Sequence, residues 1–100
     1  MPDLTQEEFA ACLNTRFAID DVSGTVWLKL VEVNAHDHSP RLDTFSLIFL
    51  GPPQPSLSQA IYRMEHETLG SQEIFIAPLG PQRDALAYEA VFNRIRKDEK

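Results

Sequence analysis

This chain is poor in sulfur, in cations and in long apolar runs. Cys12 is its one cysteine, which excludes an intramolecular disulfide framework and a cysteine-rich zinc site. No apolar stretch approaches the roughly 20 residues that a membrane-spanning helix needs, and the N-terminus lacks the basic-then-apolar order of a signal peptide. These absences predict a cytoplasmic protein with no membrane partner. Lys and Arg number 9 against 15 Asp and Glu, a net charge of −6. Nucleic-acid affinity rests on cations that neutralise phosphates, so no nucleic-acid partner is expected. The Arg94-Ile95-Arg96-Lys97 cluster runs straight into Asp98 and Glu99. It reads as a solvated terminus, and 97–100 as a charged, disordered tail behind one domain over 1–96.

What is present is enough for a core. At 100 residues and 43% hydrophobic composition, folding buries about 65% of the extended chain's surface. Leu4-Thr5-Gln6-Glu7-Glu8-Phe9 is a helix start: Thr5 caps, Glu8 closes a capping box, and Leu4 and Phe9 hold the staple positions. Phe9, Cys12 and Leu13 form an apolar stripe, and Asn14 is a stop, so a short helix is predicted over about 5–13. Strand patterns follow. Phe17 and Ile19 share a face, and 21–24 is a turn. Val26, Leu28 and Leu30 alternate in one phase and Val31, Val33 and Ala35 in the other, which predicts a bulge near Leu30-Val31. Phe45–Leu50 is apolar on both faces except at Ser46. Tyr62, Met64 and His66 alternate with charged residues, then Ile74 and Ile76, then Tyr88, Ala90 and Phe92. The segments 51–57 and 78–84 read as Pro/Gly loops. No helical crossover separates the strands, so the fold class is mainly β. About six antiparallel strands form a small barrel or sandwich, with the helix packed on it.

Residues that carry chemistry are few. His36-Asp37-His38 lies in a polar loop before Pro40 and matches no zinc spacing, so no metal site is predicted there. His66 shares a face with Tyr62 and Met64, while Glu65 and Glu67 point the opposite way and cannot orient it as a base. Cys12 sits on the apolar stripe as a core thiol. There is no nucleophile elbow, P-loop or dinucleotide fingerprint, so neither enzymatic activity nor a cofactor is expected; a third reading, an enzyme, would need His66 beside a carboxylate in a cleft. Two kinds of binding remain. A protein partner would meet Trp27, the outer face of the Phe45–Leu50 strand at Ile48 and Leu50, and the rigid segment carrying Pro52, Pro53 and Pro55. The alternative is a small-ligand pocket lined by Tyr62, His66, Tyr88 and Phe92, although six strands enclose little space. Ile48 and Leu50 also need cover, either from the helix or the Pro-rich loop, or from a second subunit in a two-fold dimer.

Several segments taken together resemble a known family. They are Phe45-Ser46-Leu47-Ile48-Phe49-Leu50-Gly51-Pro52; Gln59 to His66 with Leu69-Gly70; and Tyr88-Glu89-Ala90-Val91-Phe92-Asn93. They are similar to the F-S-L-x-F-x-G-P, Y-x-L/M-E-H-x-x-L-G and Y-E-A-V-F-N motifs of a family of short bacterial proteins. That family is classed as a domain of unknown function. The resemblance runs from about residue 4 to 93 and brings no reaction and no catalytic residues. It implies an interaction or structural module of a bacterial cell, accessory to a phage-tail-like assembly, since members are sometimes encoded beside phage-tail-collar-like proteins.

Overall fold

The computed structural model describes residues 6–21, 24–35, 42–54 and 56–95. The capping pair Leu4 and Thr5, the 22–23 turn, the His36-Asp37-His38 loop, Pro55 and the 97–100 tail lie outside the described residues. Among the described residues one helix, α1 (Gln6–Ala10), precedes six strands: β1 (Arg16–Asp21), β2 (Gly24–Ala35), β3 (Leu42–Gly51), β4 (Ala60–His66), β5 (Gly70–Gln82) and β6 (Ala85–Ile95). The strands form a closed barrel in the order β1-β2-β3-β6-β5-β4, with every neighbouring pair antiparallel. The ladders are unequal. β3 and β6 match over ten residue pairs, from Leu42↔Ile95 to Gly51↔Leu86. The seam between β1 and β4 has two, Ala18↔Glu65 and Ile19↔Met64.

Alternation decides what lies inside. Phe17, Ile19, Val26, Leu28, Leu30, Phe45, Leu47, Phe49, Met64, Ile74, Ile76, Tyr88 and Ala90 point inward and are buried. Their side chains fill the interior of this narrow barrel, as expected for few strands. The expected phase slip in β2 is a bulge: Leu30 pairs with Phe49 and Glu32 with Ile48, which leaves Val31 extra. Gly51 is needed for close approach, because a Cβ there would meet Leu28 Cδ2 at 2.5 Å.

Each end of the barrel has its own cover. At one end α1 inserts Phe9, whose ring centroid lies 6.0 Å from Phe45 and 5.5 Å from Phe92. Phe45 and Phe92 are register partners and stack at 4.8 Å. At the other end the Pro-rich link 52–59 joins β3 to β4, which lie three strands apart whichever way the barrel is traced. The link therefore crosses the barrel mouth. It buries Leu57 in the core, and the Leu57 N–H donates to the Tyr88 hydroxyl at 2.9 Å.

Three expectations need correction. The helix is shorter than 5–13. Beyond Ala10 the bonds tighten to i→i−3, Cys12 N–H to Phe9 O (2.9 Å) and Leu13 N–H to Ala10 O (3.2 Å), and Asn14 turns left-handed at φ 69°. Strand pairing competes for these residues: Asn14 N–H bonds Leu30 O at 2.7 Å, and Leu30 N–H bonds Thr15 O at 3.0 Å. The tighter turn rotates Leu13 off the stripe to 38% exposure, while Phe9 and Cys12 stay buried. Second, 78–84 is not all loop, because β5 runs on to Gln82. A bulge between Pro78 and Gly80 absorbs Leu79. β4 pairs with β5 only as far as Ala60↔Ile76. Beyond that point β5 has one open side, where a residue without N–H costs no ladder bond. Third, α1 does not cover Ile48 and Leu50. It turns to the barrel mouth, and those two side chains stay half-buried on the outer wall.

Candidate functional site

The most structured outer feature lies over the weak seam. The registers Ala18↔Trp27 and Ala18↔Glu65 place one row of outward side chains across three strands: Trp27 on β2, Ala18 on β1 and Glu65 on β4. Ala18 is the small floor between a large aromatic wall and an acidic one. The resulting cleft holds about 400 Å3, opens to solvent, and is also lined by Thr15, Arg16, His66 and Glu67. Arg16 is opposite Lys29 and so diagonal to Trp27. Its guanidinium carbon sits 4.6 Å from the indole centroid, a distance at which the ring quadrupole attracts the cation. The indole, 47% exposed, thus carries a held guanidinium, and two exposed carboxylates face it across the cleft. A second hollow of about 250 Å3 continues along the seam past Asp20, Ile61, Tyr62 and Arg63.

His66 forms the cleft's inner end, and its hydrogen bonds define its chemistry. Nδ1 accepts the backbone N–H groups of Thr68 (3.0 Å) and Leu69 (3.2 Å), which caps the β4–β5 turn. Nδ1 therefore carries the lone pair and Nε2 the proton. Nε2–H donates to Thr15 Oγ1 at 2.7 Å, and Thr15 Oγ1–H donates to the Cys12 carbonyl at 2.6 Å. The ring also packs 4.5 Å from Phe17. This relay has the outline of a hydroxyl–imidazole pair, but its polarity runs the wrong way for activating Thr15. No lone pair of the imidazole is free to take a substrate's proton. The chain of bonds fastens the α1–β1 turn to the β4–β5 turn. Cys12 nearby is 5% exposed, and burial raises its thiol above its usual value. Among the described residues no group of three or more His, Cys, Asp and Glu could hold a metal ion.

The structure brings Trp27 and His66 to one cleft and scatters the other sequence candidates. Tyr88 is buried, with its hydroxyl on Leu57. Phe92 packs under Phe9. The Tyr62 hydroxyl donates to Ser58 O at 2.8 Å on the link 52–59. Tyr62, His66, Tyr88 and Phe92 therefore line no common cavity. Ile48 lies between Glu32 and Glu89, Leu50 lies beside the β5–β6 turn, and Pro52 and Pro53 sit on the link that closes the barrel mouth. Arg16, Ala18, Glu65 and Glu67 were not among the candidates. One signal could have found them: pairing β1 with β2 in the register that opposes Asp21 and Gly24 sets Ala18 opposite Trp27, and a small residue facing a tryptophan leaves a hollow.

Fold and site together define a small antiparallel barrel with a filled core and a cleft on its outer wall. Among the described residues no helix is long and apolar enough to cross a membrane. The chain belongs to the family described as Domain of unknown function (DUF6916), whose model matches residues 4–92. Comparison with curated proteins and with solved structures finds no match.

Proposed function

We propose that this domain is a non-enzymatic binding module that meets a protein partner through the Trp27 cleft. One observation carries the reading: core side chains fill the barrel and both mouths are covered, while the aromatic and charged groups lie in a cleft on the outer wall. Exposed tryptophan and arginine at the centre of a hollow are the residue types that dominate protein contacts. The held guanidinium and the facing carboxylates suit a partner segment with charges of both signs. A bacterial cell is the setting, and a phage-tail-like assembly is the first place to look, on the strength of the family resemblance. Tagged wild-type and Trp27→Ala chains, exposed to lysate of the source cell, test this by mass spectrometry of what each retains. A protein held by the wild type and lost from Trp27→Ala is expected. Equal retention by both chains refutes the reading. So does a small molecule carried by the purified protein in native mass spectrometry.

A further inference from the structure

We infer that the outer face of the β4–β5 ladder is a self-recognition surface, whose partner is a second copy of this chain. The face is read from its register. Outward side chains lie in opposed pairs: Ile61 beside Phe75, Arg63 beside Glu73, Glu65 beside Ser71. Ile61 is 64% and Phe75 49% exposed, and Arg63 and Glu73 are exposed as well. Ile48 and Leu50 on β3 are half-buried, and the other exposed apolar strand residues, Leu79 at 56% and Val91 at 60%, lie on β5 beyond its pairing with β4 and on β6; the Ile61–Phe75 pair is the one flanked in its own ladder by a charge pair, Arg63 and Glu73.

The arrangement complements itself under one symmetry operation. A two-fold axis parallel to the strands, running midway between β4 and β5, lays β4 of one copy over β5 of the other. Residues opposed within a chain then face each other between chains. Ile61 meets Phe75 of the partner subunit, Arg63 meets Glu73 of the partner subunit, and both contacts occur twice, as an isologous interface requires. Stacked sheets pack about 10 Å apart, which side chains of this length span. Seven residues per strand at about 3.3 Å each give a contact roughly 23 Å long. That is at the small end of specific interfaces, so the association is weak and concentration-dependent. The proposal goes beyond the Trp27 cleft and does not need it.

Charge reversal tests the geometry. Sedimentation of the wild type up to about 1 mM, which reveals dissociation constants of that order, should show a reversible monomer–dimer equilibrium. Arg63→Glu alone and Glu73→Arg alone each turn two attractions into two repulsions and should weaken self-association by about tenfold or more. Mixed together, the two variants should associate again, because each then presents the opposite sign to the other at both contacts. Trp27→Ala should dimerise as the wild type does, which separates this surface from the cleft. Circular dichroism checks that the outward substitutions leave the fold intact. Should a reversal fail to fold, Phe75→Ser carries the test by deleting the apolar half, and loss of the dimer is expected. A wild type that stays monomeric at that concentration overturns the inference. So do single reversals that dimerise normally, a mixture that does not associate, or a Phe75→Ser chain that still dimerises.

Discussion

Two tyrosine hydroxyls hold the same link, 52–59, and they differ in burial. Tyr88 Oη accepts the Leu57 N–H at 2.9 Å in the core, while Tyr62 Oη donates to Ser58 O at 2.8 Å on the exposed side. Tyr88→Phe keeps the ring and removes the acceptor, so a buried backbone donor loses its partner. An unmet buried donor costs about 1–3 kcal/mol, and in a domain of this size each kcal/mol moves Tm by roughly 4–8 °C. Tyr62→Phe removes a bond that water can replace and should stay within about 0.5 kcal/mol. Urea unfolding of both variants at equal m-value is the assay. Equal losses would refute the argument from burial. A Tyr88→Phe loss below about 0.5 kcal/mol would show that the link needs no anchor in the core.

Phe9→Ala should cost about 3–5 kcal/mol by emptying the helix-side mouth between Phe45 and Phe92; a loss below about 1 kcal/mol in the same assay would show that α1 closes nothing. Gly51→Ala should cost about 1–3 kcal/mol, because the added methyl meets Leu28 Cδ2, a fully buried side chain. Wild-type stability at Gly51→Ala would show that this contact yields freely. Burial raises the Cys12 thiol above its ordinary value of 9.0, so the native state favours the protonated thiol. Its contribution to stability is therefore full below that value and is lost as pH rises through the folded-state value. Cys12→Ala should flatten this alkaline decline in denaturation midpoints, and an unchanged pH profile would contradict the assignment.

Much of the barrel was legible because most of its strands have one wet and one dry face. Phe17/Ile19, Tyr62/Met64/His66 and Tyr88/Ala90/Phe92 read correctly from period two alone, and the phase slip at Val31 exposed a bulge. Pro78 and Pro81 misled because the pattern does not reveal where a neighbouring strand stops. They lie where β5 has already left β4, which only the assembled topology shows. The cleft was half legible. Trp27 and His66 stood out by type, but Arg16 and Glu65 matter by position. The meeting of β1 with β4 is a contact between distant segments, set by how the whole sheet closes. Tyr88 was read as a pocket wall because an aromatic with a polar tip looks the same whether it greets a ligand or the chain's own backbone.

The short β1–β4 ladder has a consequence for how the barrel opens. α1 leads directly into β1, so the Phe9 plug and the strand that closes the cylinder form one N-terminal arm. Two registered pairs and the His66–Thr15 relay fasten that arm on its β4 side. Local opening should start here, with amide exchange fastest in β1 and β4 and slowest along the ten-pair β3–β6 ladder. A departing arm uncovers the edges of β2 and β4 together, leaving a vacancy that the same arm of a neighbouring molecule fits. Strand exchange is the characteristic misassembly to expect on prolonged warming. The Trp27 cleft spans β2, β1 and β4 across this join. A partner seated there would bind only the closed cylinder and would hold the arm in place by mass action. Its arrival would be read as slowed exchange in β1, the strand that supplies Arg16 and the floor residue Ala18 to the cleft.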